Sequence, residues 1–209
     1  MLTVTTAASD LNLLTPAELR AAVGVEDSSQ DAKLTTLGKR VSASLAAACR
    51  VASGGTSPPT LRLETLSETF RLKSCHKELI LSRMPIVSVI SVTEVDAALA
   101  VDGTDFEIEA NAGMLRRLSS DEPIDWTIGK TVVVYTAGWA TVPDNLKNLA
   151  DKLAVVFWGE GTRDPSLGSM EIPGVISETY RYGRPDDPLI PEEIMQGLQQ
   201  GGFVNNWIG

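Results

Sequence analysis

Histidine and cysteine are almost missing from this chain: of 209 residues, one is histidine (His76) and two are cysteine (Cys49 and Cys75). A structural metal centre takes about three or four ligands at close spacing, and no second Cys/His cluster accompanies His76, so no metal site is expected. Two cysteines cannot make a disulfide framework, and their number suits a reducing cytosol. Cys49 falls in an apolar helical stretch and is expected to be buried. Long apolar runs are missing too. No segment approaches the roughly 18 residues of a membrane span, and residues 1–12 have neither a basic start nor an apolar centre. Neither membrane contact nor a targeting segment is expected. Cations are in deficit, 18 Lys and Arg against 27 Asp and Glu, for a net charge of −9. Proteins that clamp phosphates carry basic patches, so that class is disfavoured.

Catalytic signatures are also absent. Gly159-Glu160-Gly161-Thr162 lacks the Lys-Ser/Thr end of a phosphate loop, and there is no Gly-x-Ser-x-Gly elbow. Ser74-Cys75-His76-Lys77-Glu78 offers three readings on its face: a Cys/His nucleophile, a metal pair, or the Ser-x-x-Lys spacing of penicillin-recognising enzymes. The last lacks its Ser-Asp-Asn and Lys-Thr-Gly partners, and the segment reads as a polar turn between strands. Asp186-Asp187 and Glu192-Glu193 fall at a proline-rich turn and a helix start, where carboxylates are solvated or favoured by the helix dipole. No catalytic residue and no cofactor is expected. A small enzyme built on Cys75-His76 is the competing class.

What is present is a core: 43% of residues are hydrophobic. Residues 131–158 organise it. Val132, Val133, Val134 and Tyr135 suit a pleated surface and stop at Ala137-Gly138. Thr141 and Asp144 stand at capping-box spacing around Pro143, and Leu146, Leu149, Ala150, Leu153 and Phe157 then form one helical stripe. The last turns, residues 153–158, are apolar all round. Val155, Phe157 and Trp158 cannot all face one core, so they are expected at a subunit interface. Trp126, Trp139 and Trp158 read as core or interface anchors.

Upstream, Thr15-Pro16-Ala17-Glu18 predicts a capped short helix ending at Gly24. A cap signal at Asp27 to Asp31 precedes the stripe Leu34, Leu37, Val41, Leu45, Ala48, which predicts a long helix to about Arg50, with Lys33, Lys39 and Arg40 off the stripe. Residues 53–57 and Pro58-Pro59 punctuate the chain. From residue 60 to 138 the period shortens: Val87 to Val95 is β-branched, Phe106-Glu107-Ile108 and residues 114–118 read as a hairpin, and the connections are too short for crossover helices. A mostly antiparallel sheet is expected there. Residues 159–174 read as a long loop, Ile176 to Tyr180 as a short strand, and Ile190, Ile194 and Leu198 as one face of a last helix ending at Gly201-Gly202. The tail Phe203, Val204, Asn205, Asn206, Trp207, Ile208 is aromatic and uncharged. It predicts a docking segment, with folding back on its own subunit as the alternative.

Four features in one order resemble the head-to-tail connector, or adaptor, proteins of long-tailed phages. They are the early helix ending LAAACRV, the segment LILSRMPIVSVISVTEV, the hairpin DFEIEANAGMLRRL, and Trp126 followed by TVVVYTAGWATVPDNLKNLA. The resemblance covers most of residues 15–180 and implies a single connector domain over residues 1–209, of α+β class. A helical core (residues 15–52 and 141–200, with N-terminal helices, a central helix at about 143–158 and a C-terminal helix) carries a mostly antiparallel β insertion at about 60–138 and ends in a tail, 201–209. It implies a non-enzymatic virion protein assembled in the host cytoplasm and placed in the neck. There it would form a ring, typically a dodecamer, beneath the portal protein, surround the DNA exit channel and meet a tail-joining (stopper or tail terminator) protein. Genomic DNA would pass without sequence-specific binding, helped by carboxylates that repel phosphate. Within the same junction, a tail-completion or stopper protein is the alternative; such proteins are predominantly β, whereas this chain predicts three or four helices.

Overall fold

Thr15 opens the first helix as its sequence demands. In the computed structural model, which describes residues 1–99, 103–110, 112–162, 169–172, 176–179 and 190–205, a strand β1 (Leu2–Thr6) precedes α1 (Pro16–Val23). The Thr15 Oγ1 accepts from the Glu18 amide at 3.2 Å, and the Glu18 carboxylate accepts from the Thr15 amide at 2.7 Å. Gly24 closes the helix at φ 72°, a left-handed cap. Asp27 caps a 3₁₀ turn (Ser28–Gln30) that leads into α2 (Asp31–Ala48). Leu34, Leu37, Val41 and Leu45 of α2 are buried, as the stripe predicts.

The sheets follow: β2 (Glu64–Leu72), β3 (Glu78–Ile80), β4 (Ile86–Glu94), β5 (Ala97–Ala98), β6 (Phe106–Glu109), β7 (Met114–Ser119), β8 (Glu122–Ile124) and β9 (Gly129–Ala137). One sheet has the order β1-β2-β9-β4-β5; the other runs β3-β7-β6 with β8 also on β7. Every ladder is antiparallel. Leu66, Val133 and Tyr135 from the first sheet share a core with Leu79, Phe106 and Leu115 from the second, around a fully buried Trp126 whose indole N–H donates to the Leu115 carbonyl. The first sheet is not made by residues 60–138 alone, since β1 pairs with β2.

The chain then returns to helix in α3 (Asp144–Thr162), passes through a separate two-stranded ladder of β10 (Ser169–Ile172) and β11 (Ile176–Thr179), and ends in α4 (Glu192–Gln200). Thr141 does not cap α3. A cap at Thr141 would make Val142 the first helical residue, and Val142 precedes Pro143, a position disfavoured for helical backbone angles; the helix begins at Asp144, and the Pro143 carbonyl accepts from Lys147 at 3.0 Å. At its other end α3 runs through Gly159 and Gly161, residues expected in a loop; once nucleated, a helix gains one bond for each residue added. Leu146, Ala150, Leu153 and Phe157 of α3 pack with α2 and with Ile194 and Leu198 of α4 in a second, helical core. Lys147 reaches Glu18 at 2.6 Å and ties α3 to α1.

Gly138 joins the two cores. Its φ of 101° is open to glycine, and a Cβ there would lie 2.4 Å from the Arg62 carbonyl. Beside it Trp139 bonds to the residues on either side of Arg62: its N–H donates to Leu61 O at 2.9 Å and its carbonyl accepts from Leu63 N–H at 3.1 Å. Three carboxylates lie inside the sandwich. Glu64 meets Arg83 at 3.2 Å, both side chains almost wholly buried, and Arg83 also donates to the Thr60 carbonyl at 2.7 Å. Glu68 accepts from the Tyr135 hydroxyl and the Ser82 amide, each at 2.9 Å, and from the Ser82 hydroxyl. Burial, then the Glu68 charge, pushes the Tyr135 pKa up, so the phenol keeps its proton. Glu94 accepts from Thr127 N–H at 2.7 Å and pairs with Arg117 at 3.0 Å.

Two outcomes are expected. Arg83→Met removes the cation that pairs with the buried Glu64, leaving it only the 3.4 Å bond from Ala8 N–H, and should lower unfolding free energy by about 3–5 kcal/mol in urea titrations, with Glu64→Gln added in the same chain recovering part of the loss. Burial raises the Glu94 pKa, but the Thr127 amide and Arg117 outweigh it, and the net value lies below 4.5. A lowered folded pKa contributes stability above the ordinary glutamate value, and that contribution is lost as pH falls through the lowered one. Glu94→Gln should therefore flatten the acid limb of stability against pH below about 4.5.

Candidate assembly surface

Three groups of residues singled out by the sequence fall in different places. At the end of α3, Phe157 is buried, Trp158 is half-buried and Val155 is 49% exposed. Phe157 and Trp158 both pack on the helical core, and Val155 faces away from it. α2 supplies cations to the two rings: Lys33 Nζ sits 4.3 Å from the Trp158 ring centre and the Arg40 guanidinium 5.3 Å from that of Phe157. Lys33 and Arg40 were legible only as residues off the apolar stripe; their spacing of seven places both on the side facing α3. These four side chains edge a shallow cavity of about 220 Å³.

The C-terminal segment turns at Gly202 (φ 69°) and runs back along its own subunit. Phe203 is buried in the helical core, with its ring edge-on to Trp139 at 6.3 Å. Val204 packs against the same core, and the buried Asn205 gives its N–H to the Cys49 carbonyl at 3.1 Å and its side-chain amide to the Arg50 carbonyl at 3.5 Å. These carbonyls follow the end of α2, whose last turn is closed by the Arg50 N–H to Ala47 O and the Val51 N–H to Ala46 O, with Arg50 at φ 54° where a glycine is usual. The sequence reading of this tail as a portal-docking segment had folding back on its own subunit as its alternative, and Phe203, Val204 and Asn205 make the contacts of that alternative. Asn206, Trp207 and Ile208 lie outside the described residues. Beside the turn, Trp139, Phe203, Asn205, Leu61, Met84 and Pro143 line a cavity of about 320 Å³.

Cys75 and His76 are exposed on the turn between β2 and β3. His76 works through its backbone, its carbonyl accepting from Trp126 N–H at 2.7 Å, while its ring Nε2 is 3.4 Å from the Ser74 hydroxyl. Cys49 is buried, which pushes its thiol pKa up to about 12 and leaves it protonated. Among the described residues no three His, Cys, Asp or Glu are grouped to hold a metal, and no helix is long and apolar enough to cross a membrane. The arrangement presents surfaces and edges for contact. Its mixed α+β architecture, a helical core with an antiparallel sandwich set into it, is the class of fold that comparison with known proteins can test.

No protein-family model and no curated protein matches the chain. Its fold is shared with solved structures. A chain from the neck of an empty gene transfer agent particle, computed with C6 symmetry, is 18% identical with a TM-score of 0.54, over 80% of this chain and 88% of that one. A chain of the native gene transfer agent virion is 18% identical at TM-score 0.53, over 81% and 89%. A third, from the native neck computed with C12 symmetry, is 19% identical at 0.52, over 83% and 88%.

Phe203→Ala should lower stability by about 3–5 kcal/mol in thermal or urea unfolding. Cys75→Ser with His76→Asn should stay within about 0.5 kcal/mol of wild type. A reversal of that order would mean that the tail is held elsewhere.

Proposed function

We propose that this chain is a structural, non-enzymatic subunit of a virion neck, forming a ring beneath the portal that joins the DNA-filled head to the tail. The observation that carries this reading is the shared fold over four-fifths of this chain and nearly nine-tenths of the neck chains, in assemblies of C6 and C12 symmetry. The connector-like order of motifs along the sequence supports it independently. In this reading the partners are the portal protein, a stopper or tail terminator protein, and further copies of the chain, twelve to a ring. Genomic DNA passes through the centre without sequence-specific contact. The exposed Val155 and the cation-covered Phe157–Trp158 corner belong to the contact between subunits. The net charge of −9 suits a channel along which DNA slides, because like charges remove the counterion-release term that makes DNA stick.

Purified protein mixed with its cognate portal and imaged in negative stain tests the reading. Rings capping the tail-facing end of the portal are the expected result. Free portal beside unbound protein, at concentrations above those of either component in infected cells, would sink it. Duplex DNA binding that persists at physiological salt would count against the sliding channel.

A further inference from the structure

Two pieces of β-structure in this chain have sides with no partner strand among the described residues. β4 has β9 along one side, but on its other side β5 covers only Thr93 and Glu94. The Val92 carbonyl is taken by Leu99 N–H at 3.0 Å. From Ile86 to Ser91, no strand among the described residues lies on the outer side. That edge carries no charge or proline, and it exposes Val87 (60%) and Ile90 (49%). Edges are ordinarily blunted by lysine, proline or a covering element; here only two register shifts against β9 interrupt the strand. The second piece is the β10–β11 ladder, four residues in each strand, which among the described residues pairs with neither large sheet. An isolated pair of strands is marginal in water and gains stability from a third.

We propose that the β10–β11 ladder of one copy adds to the free β4 edge of the next copy, extending its five-stranded sheet. Main-chain bonds would supply the attraction, and the β4 edge is long enough for a strand of the ladder's length. Donor and acceptor surfaces differ, so the contact is head-to-tail and can repeat from copy to copy around a closed ring. This deepens the ring reading by naming its contact, and rests on it.

A complementation experiment tests the pairing. One full-length variant blocks the edge (Val87→Lys, with Ile90→Lys as an independent second), and another breaks the ladder (Met170→Pro with Ser177→Pro). Circular dichroism and melting establish that each is folded. Self-association is read by sedimentation velocity and native mass spectrometry, over concentrations that span assembly of the wild type. Each variant alone should associate at least about tenfold more weakly than wild type, and an equimolar mixture should recover a heterodimer that grows no further. Either variant assembling like wild type, a mixture that stays monomeric, or a monomeric wild type would overturn the pairing. Both variants still forming complete rings on the portal would also overturn it while leaving the ring reading intact. A wild type that forms no ring on the portal would sink the ring reading instead.

Discussion

Two glutamates on the inward face of one strand set the conditions for everything around them. Glu64 and Glu68 flank Leu66 on β2, and alternation along a strand sends all three into the sandwich. A buried carboxylate without partners is costly, so the chain must bring something to each. It brings residues 81–86: Ser82 to Glu68 through backbone and hydroxyl, Arg83 to Glu64, and then Ile86 into β4. β9 completes the arrangement with Tyr135 opposite Leu66 in register and its hydroxyl on Glu68. A one-residue slip of β2 would turn both carboxylates outward and strand Arg83 inside, so this polar cluster holds register more firmly than apolar packing alone could.

The same cluster fixes how the sandwich meets the helices. Thr60, which takes the second Arg83 donor, leads directly into Leu61 of the helical core, and the bridge between Arg62 and Trp139 closes the strap on the far side of Gly138. Trp139 then meets Phe203, and Asn205 bonds to the Cys49 and Arg50 carbonyls just past α2. A path of buried contacts therefore runs from the sheet interior to the end of α4.

Much of this was readable from residue order. The Thr15–Glu18 box, the stripes of α2, α3 and α4, and the hairpin of β6 with β7 are local patterns, and local patterns survive without knowledge of partners. What was missed depended on distant partners. Leu2–Thr6 carries only two apolar residues in alternation with threonines, a signal too short until β2 is beside it. The turn from β4 to β5 uses Val95 and Asp96 at positive φ, where the expected signal is Asn-Gly, so nothing in the sequence announced it. The tail was legible as apolar anchors but not as anchors for its own subunit, because the carbonyls it meets, those of Cys49 and Arg50 just past α2, lie more than 150 residues away by the Asn205–Arg50 bond. Phe157 and Trp158 were legible as apolar residues at the end of α3, yet their company of Lys33 and Arg40 required the α2–α3 packing.

An exposed, uncharged sheet edge is a liability for a protein meant to stay monomeric, and its cost is growth without limit. A closed ring removes that cost only if each contact imposes the same rotation. Strand pairing does this well, since register fixes translation along the strand and the ladder's hydrogen bonds fix its tilt. The register shifts in β4 add a further restriction: a bulged, twisted edge accepts a short strand along part of its length and resists the flat, repeated stacking that makes fibres. A short ladder offered between two helices of the neighbouring copy is the matching half of such a device. Each contact holds two copies by itself, and closing the ring adds one contact more than an open row of the same number of copies contains, which favours the closed form.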